Sequence, residues 1–402
     1  MSDLTAGSRG EVPPGQRVRQ ASDRLTIVLN ASHGLSLINF RGRLIERMLA
    51  LGHEVHVTAP EFEKVETALR SLGAIPHIVP LAKTGLNPLA DIRYFRAIRS
   101  LLKTVKGDLS VSYTIKPNIW ASLAAGSLGI RCASMVTGLG YAFSEGGGTK
   151  ARLVGLAARA LFRAATAANE VVVFQNPDDE ADFIAAGCLG NPGKARRTNG
   201  SGVDLDYFSP SALPEQPIFL MIGRLLGAKG VREYGAAALQ ILSRRSDARF
   251  LLVGFSDGGP DSIGPGELDA WIEGGVEYLG PLDDVRPAMR QASVFVLPSY
   301  REGTPRSVLE AMAMARPIIT TNVPGCRETV VEGSNGLLVQ ARDPAALAAA
   351  MESLIERPDL RAQMGARSLE LCRSKYDVDK VTCTLLQHLG LVTTPSSSGE
   401  PR

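Results

Sequence analysis

Two glutamates, Glu302 and Glu310 in YREGTPRSVLEAMAMARPIIT, stand eight positions apart; the first is in a loop and the second inside a helical pattern. A carboxylate accepts two hydroxyls well. Carboxylates bracketing a helix start, where backbone N–H groups point outward, therefore suit a ligand with hydroxyls at both ends and phosphates between. A sugar nucleotide has that layout. The spacing alone is a weak signal, because a surface glutamate followed by a helix-face glutamate also produces it, so the surrounding residues decide. The segment GRLLGAKG (Gly223–Gly230) follows an apolar strand and presents Arg224 and Lys229 among glycines that let the backbone come close. Two fixed cations at a strand end can bind a diphosphate and stabilise it as a leaving group. The alternative is a solvated basic loop; the presence of EGTPR elsewhere in the chain favours the phosphate reading.

A third loop, ASHGLSLINFR (Ala31–Arg41), joins the first strand to a helix. Gly34 permits close backbone approach and the helix start favours an anion, so this loop is expected to cover the phosphates from the opposite side. His33 is read as a solvated loop histidine rather than a general base. His53 and His56 flank a strand and are read as structural.

These loops are positioned by alternating apolar strands and helical patterns, the signature of βα units and parallel sheets. Strands are expected at Leu25–Asn30, Gly52–Pro60, Ile75–Val79, Leu109–Tyr113, Cys132–Val136 and Val171–Gln175. A second series follows at Ile218–Gly223, Arg249–Gly254, Val276–Gly280, Val294–Ser299 and Pro317–Thr321. Pro305 opens a helix expected to run through Arg316. The turn-rich stretch Ser201–Pro217 divides the series, which gives an α/β chain with an N-terminal domain over 23–203 and a C-terminal domain over 204–375. A last helix at about 376–391 is expected to pack back on the first domain. Ligands of open α/β sheets bind beyond the carboxyl ends of the strands, so two such edges facing each other make an interdomain cleft.

At 402 residues the chain is long enough for two cores. Its 45% hydrophobic and 21% charged content is that of a soluble globular protein, and a net charge of +3 is too mild to imply nucleic acid. Five cysteines are scattered without a CxxC, which argues against a disulfide framework or zinc site and for a reducing cytoplasm. Residues 1–22 and 393–402 have the composition of disordered segments, and no uninterrupted apolar run is long enough to span a bilayer.

Three further motifs are set aside as cofactor sites. DLD (Asp204–Asp206) lies in the interdomain turn and is read as a turn and cap rather than a metal ligand. GLGYAF (Gly138–Phe143) lacks the third glycine of a dinucleotide fingerprint, although Gly138, Gly140 and Tyr141 remain acceptor-side candidates. GGGTK (Gly146–Lys150) lacks P-loop spacing. Two basic stretches suggest an anionic membrane surface: Arg93, Arg96, Arg99, Lys103 and Lys106 recur at helical steps beside Tyr94 and Phe95, and Lys150, Arg152, Arg159 and Arg163 punctuate a Leu/Ala/Phe helix. Solvated helix faces over a core are the competing reading.

With these residues in view, the chain resembles a family-4 retaining glycosyltransferase of GT-B fold, with two Rossmann-like domains facing across a donor cleft. GRL…KG, EGTPRSVLEAMA and PGCRETVVEGSNGLLV carry the resemblance in the C-terminal half. NFRGRLIERMLALGHEVHVTAP, YTIKPNIWASLAAGSLGI, VTGLGYAF and FQNPDDE resemble a bacterial subgroup extending polyprenyl-diphosphate-linked sugars, N-acetylgalactosaminyltransferases among them. The resemblance implies that Glu302 contacts donor sugar hydroxyls and Glu310 the ribose. It gives the diphosphate to Arg224 and Lys229, assisted by the N–H groups of Gly303 and Thr304, with Gly34 beneath. Gly280 falls where the base is read, and Gly325 and Glu328 near the donor. No metal and no cofactor beyond the UDP-sugar co-substrate are implied, and the mechanism expected is front-face retention.

Two departures stand out. Many relatives carry a histidine before the Pro-Asn of IKPN, where this chain has Thr114, Ile115 and Lys116; Lys116 is expected to take a substrate or phosphate contact instead. The loop LLGAKG has Gly227–Ala228 where relatives carry a bulky or acidic pair. The expected activity is transfer of an N-acetylhexosamine from a UDP-sugar to a polyprenyl-diphosphate-linked saccharide at the cytoplasmic membrane face. The rivals are a UDP-sugar 2-epimerase of the same fold, a non-catalytic sugar-nucleotide-binding subunit and a soluble transferase with a small acceptor.

Overall fold

The computed structural model describes residues 24–82, 87–139, 149–259 and 261–393. In the first half, strands β1 (Thr26–Asn30), β2 (Glu54–Ala59), β3 (Ile75–Ile78), β4 (Leu109–Tyr113), β5 (Arg131–Val136), β6 (Val171–Phe174) and β7 (Ala195–Arg197) alternate with helices α1 (Leu35–Ala50), α2 (Glu66–Leu72), α3 (Pro88–Thr104), α4 (Ile115–Gly126), α5 (Thr149–Ala168) and α6 (Pro177–Ala185). They form one parallel sheet in the order β3-β2-β1-β4-β5-β6-β7. The second half has β8 (Ile218–Ile222), α7 (Val231–Leu242), β9 (Arg249–Val253), α8 (Pro265–Glu273), β10 (Glu277–Tyr278), α9 (Arg286–Gln291), β11 (Val294–Leu297), α10 (Arg306–Ala313), β12 (Ile318–Thr321), β13 (Gly336–Val339), α11 (Pro344–Glu356) and α12 (Pro358–Leu371). Its sheet runs β10-β9-β8-β11-β12-β13, again all parallel. The expectation of two parallel-sheet halves is met.

Both faces of each sheet are covered, so the strands read as continuous apolar runs rather than alternating ones. Ile27, Val28 and Leu29 of β1 and Phe219, Leu220 and Met221 of β8 are fully buried. Each such side chain contributes roughly 1.5–3 kcal/mol. Local signals set the helix starts. Asn87, Asn176 and Asp343 cap α3, α6 and α11 through their side chains, each followed by a proline in the first turn.

The final helix, α13 (Val378–His388), returns to the first sheet. Leu385, Leu386 and Leu389 share a core with Leu37, Leu44 and Met48 of α1, and Arg47 pairs with Asp379 at 3.0 Å. The two strands of chain that cross between the halves bind each other, Val203 N–H to Tyr376 O at 2.8 Å and Val378 N–H to Val203 O at 3.0 Å.

Three details differ from the sequence expectation. Helix α10 stops at Ala313 rather than Arg316, because Ala315 adopts φ 62° and turns the chain into β12. Strands β7 and β13 were not anticipated. Lys106 lies beyond α3 in a left-handed conformation (φ 53°), so the basic stripe ends at Lys103 on the helix proper.

Candidate active site

Each sheet reverses its strand order once, between β1 and β4 in the first and between β8 and β11 in the second. Loops leaving neighbouring strands at such a point diverge to opposite faces and leave a crevice. Gly34 follows β1, Lys116 is in the first turn after β4, Arg224 and Lys229 follow β8, and Glu302 follows β11. The residues expected to do chemistry therefore stand at the two switch points.

Glu302 and Lys229 are ion-paired, joining the loops after β11 and β8. The carboxylate also accepts from Ser299 Oγ at 2.8 Å, and the Glu302 N–H donates to Pro324 O at 3.0 Å. At 12% and 23% side-chain exposure, the pair is shielded yet reachable. Arg224 is half exposed and bound to Asp257 at 3.2 Å. Hydrogen bonds from Ser262 and the Gly259 N–H, with Arg224 adding its charge, hold the Asp257 carboxyl below its usual range.

The loop after Glu302 is pressed against the first sheet. A Cβ on Gly303 would lie 2.2 Å from Thr137 O and 2.7 Å from Gln175 Oε1, so glycine is required there. Asn176 Nδ2 donates to Gly303 O at 2.8 Å, and Thr304 Oγ1 donates to Gln175 O at 3.3 Å. Gly138 faces the Gly303 N–H, and Gly325 (φ 81°) passes against Glu302 O. Arg301 reaches two carboxylates of α6, Asp179 and Asp182.

Glu310 lies on α10, nearly enclosed, with Arg306 Nε donating to it at 2.8 Å. Burial pushes its carboxyl above the usual range and Arg306 opposes the shift. Arg306 also crosses the cleft, its Cζ 5.1 Å from the Phe40 ring centroid on α1. Glu328 keeps a buried carboxylate oxygen without a partner, and burial raises its carboxyl.

Other expected residues have different reasons for their identity. Gly34 sits where a Cβ would come 2.3 Å from Glu61 O, so the neighbouring loop already requires glycine there. Gly280 takes φ 69° in open space. Lys116 is ion-paired with the buried Asp91 at 2.9 Å, as Lys229 and Arg224 are with carboxylates of their own. His33 Nδ1 accepts from the Leu35 N–H at 3.2 Å, as a loop cap would. Asp204 accepts from the N–H groups of Asp206 and Tyr207, making DLD a turn. Gly140 and Tyr141 lie outside the described residues, as do the side chains of Lys150 and Arg152.

Sequence reasoning missed three features. The Arg301–Asp179 pair gave no sign beyond the capping pattern in NPDD. Thr114 adopts φ 69° and ψ 160°, a region nearly reserved for glycine, and among the described residues its buried Oγ1 has no partner. Arg41 was expected to close the loop Ala31–Arg41, whereas α1 already begins at Leu35 and carries Arg41 buried against Tyr113.

Comparison with known proteins gives this geometry a context. Residues 39–197 match the glycosyl transferase 4-like domain and residues 216–357 match glycosyl transferases group 1. The chain is 29% identical to the N,N'-diacetylbacillosaminyl-diphospho-undecaprenol alpha-1,3-N-acetylgalactosaminyltransferase of Campylobacter jejuni, over 84% of this chain and 91% of that protein. It is 27% identical to the UDP-Gal:alpha-D-GlcNAc-diphosphoundecaprenol alpha-1,3-galactosyltransferase of Escherichia coli, over 66% of this chain and 70% of that one. Anabaena HepE, solved with UDP and glucose, superposes with a TM-score of 0.74 at 16% identity, covering 91% of this chain and all of that one. With both halves matched and the two-sheet fold shared, the chain belongs to the family-4 glycosyltransferases of GT-B fold.

Proposed function

We propose that the protein transfers a sugar, an N-acetylhexosamine, from a UDP donor to a polyprenyl-diphosphate-linked saccharide, with retention at the anomeric carbon and without a metal. The observation that carries the reading is the Lys229–Glu302 pair bridging the loops after two adjacent strands at a switch point. Glu302 then meets donor sugar hydroxyls while Lys229 and Arg224 take the diphosphate, with Gly303 and Thr304 N–H groups beside it. Glu310 takes the ribose, Gly280 flanks the base, and Glu328 lies near the sugar. The acceptor hydroxyl attacks the anomeric carbon on the face the diphosphate leaves. The bond to the β-phosphate oxygen breaks, and that phosphate takes the acceptor proton as UDP departs. Lys229 and Arg224 stabilise the charge that develops.

Two relatives are named for diphospho-undecaprenol acceptors, which supports the lipid-linked acceptor class. The test is a screen of UDP-sugars against a polyprenyl-diphosphate-linked saccharide, with and without EDTA, reading UDP release and product anomer. Transfer with retention, unaffected by EDTA, is expected. A 2-epimerised nucleotide sugar as the product, or UDP binding without turnover, overturns the reading.

The same reading puts the protein at the cytoplasmic membrane face as a peripheral enzyme. No helix among the described residues is long and apolar enough to cross a membrane. On α3, Arg93, Arg96 and Lys103 are exposed next to Leu89 and Ile92, which are 69% and 41% exposed. Apolar side chains among cations suit an anionic lipid surface. Arg159 and Arg163 of α5 are exposed beside Leu156 and extend the same chemistry. Co-sedimentation with anionic liposomes that weakens with salt is expected; sedimentation indifferent to anionic lipid overturns the membrane contact.

A further inference from the structure

Arg41, on α1, is 4% exposed, and the groups that act on its charge among the described residues, Tyr113 and Arg306, include no carboxylate. Among the described residues its Nε has no hydrogen-bond partner, and its one hydrogen bond runs from Nη1 to Phe40 O at 3.4 Å. The guanidinium lies 5.0 Å from the centroid of the Tyr113 ring at the end of β4. That ring is held in turn: Tyr113 OH and Ser36 Oγ are 2.8 Å apart, and Ser36 Oγ donates to His33 O at 2.5 Å. The loop after β1 and the end of β4 thus fix the guanidinium at the first sheet's switch point.

Facing it from the other half is Arg306, in the first turn of α10 and stacked over Phe40, the residue next to Arg41. Burial is the main influence pulling Arg41 below its usual range, and Arg306 adds repulsion. A buried guanidinium keeps its proton, so the protein bears the cost of an uncompensated charge at this point. A second cation from across the cleft raises that cost further. An entering anion removes both penalties, and a phosphate oxygen pair matches the flat fork of an arginine.

We propose that Arg41 and Arg306 form a diphosphate-binding clamp, one arm from each sheet, separate from the Arg224 and Lys229 pair. The proposal deepens the transferase reading and rests on it for the source of the ligand, because both substrates of that reaction carry a diphosphate. Arg306 is held by Glu310 in the structure. A ribose that takes Glu310 frees Arg306 for phosphate.

The test measures calorimetric binding of inorganic pyrophosphate, UDP and a short prenyl diphosphate to the whole chain and to Arg41→Gln, Arg41→Lys and Arg306→Gln. Both glutamine variants are expected to weaken pyrophosphate binding at least tenfold, with Arg41→Lys recovering part of the loss. Weakened UDP binding assigns the clamp to the donor, and weakened prenyl diphosphate binding assigns it to the acceptor. An arginine kept for packing alone lowers the melting temperature and leaves all three affinities unchanged, which overturns the clamp. If Arg41→Gln does not fold, Arg306→Gln, altered at a partly exposed helix start, still decides. Failure of sugar transfer with pyrophosphate binding lost in the variants removes the transferase reading and leaves the anion site; normal transfer with affinities unchanged does the reverse.

Discussion

Arg301 binds Asp179 across the two halves of the molecule, with Nη2 at 2.6 Å and Nε at 3.0 Å from the same carboxylate oxygen. Asp179 is fully buried, and burial pushes its carboxyl upward while the Arg301 hydrogen bonds pull it back. Asp182 Oδ2 accepts from the same Nη2 at 2.6 Å.

Removing Arg301 leaves that carboxylate buried without its cation. Arg301→Ala is expected to cost about 2–4 kcal/mol, below the full range for a broken buried pair because the guanidinium is one-third exposed. Asp179→Asn in the same background should restore at least half the loss. Urea unfolding measures both; an unchanged midpoint for Arg301→Ala rejects the account.

For the chemistry, Glu302→Ala and Lys229→Ala should each lower turnover by at least about two orders of magnitude, since one bears on the transferring sugar and the other on the leaving charge. The loss should fall on kcat more than on KM. Near-normal turnover in both variants would overturn the site assignment.

Glu310 makes a prediction about pH. Its folded pKa lies above the ordinary value, so the folded chain holds this proton more tightly than the unfolded chain does. Stability from this group is therefore complete below the unfolded glutamate pKa and declines as pH rises through the folded one. Glu310→Gln lacks the titration, so the variant should gain stability relative to the parent as pH rises from the unfolded glutamate value of about 4.5 through the raised folded one. Denaturant midpoints at several pH values give the slope, and a relative loss over that window contradicts it.

The cysteines offer a simple check on packing. Cys132, Cys188, Cys326 and Cys372 are buried, and burial pushes the Cys326 thiol up to about 12; Cys383 on α13 is partly accessible. At pH 8 a thiol reagent should label one cysteine quickly in the folded chain and all five after denaturation. Rapid labelling of several in the native state would refute the burial pattern.

The strands that position the site were readable because parallel strands buried on both faces leave unbroken apolar runs, as in Thr26–Asn30 and Ile218–Ile222. Strand β7 escaped because Ala-Arg-Arg at a sheet edge buries little, and β13 because its run opens on glycine within a turn-rich segment. The placing of Glu302 and Lys229 was legible, since each lies in the loop that leaves such a strand. Arg301 and Asp179, 122 positions apart, were not, because the contact depends on how the halves meet. Lys116 shows the same limit: its place just after β4 was readable, and its partner Asp91, 25 positions earlier, was not.

Gly303 sets a gauge on the machine. With the carbonyl of Thr137 2.2 Å from where a methyl group would stand, even alanine acts as a shim between the halves. Its bulk would push on the hydrogen bonds from Asn176 and on the Arg301 pair. Gly303→Ala should therefore resist full closure, detectable as a larger radius of gyration by X-ray scattering, while each half keeps its own core. The clearance between the jaws is thus written into the chain as a side chain left out.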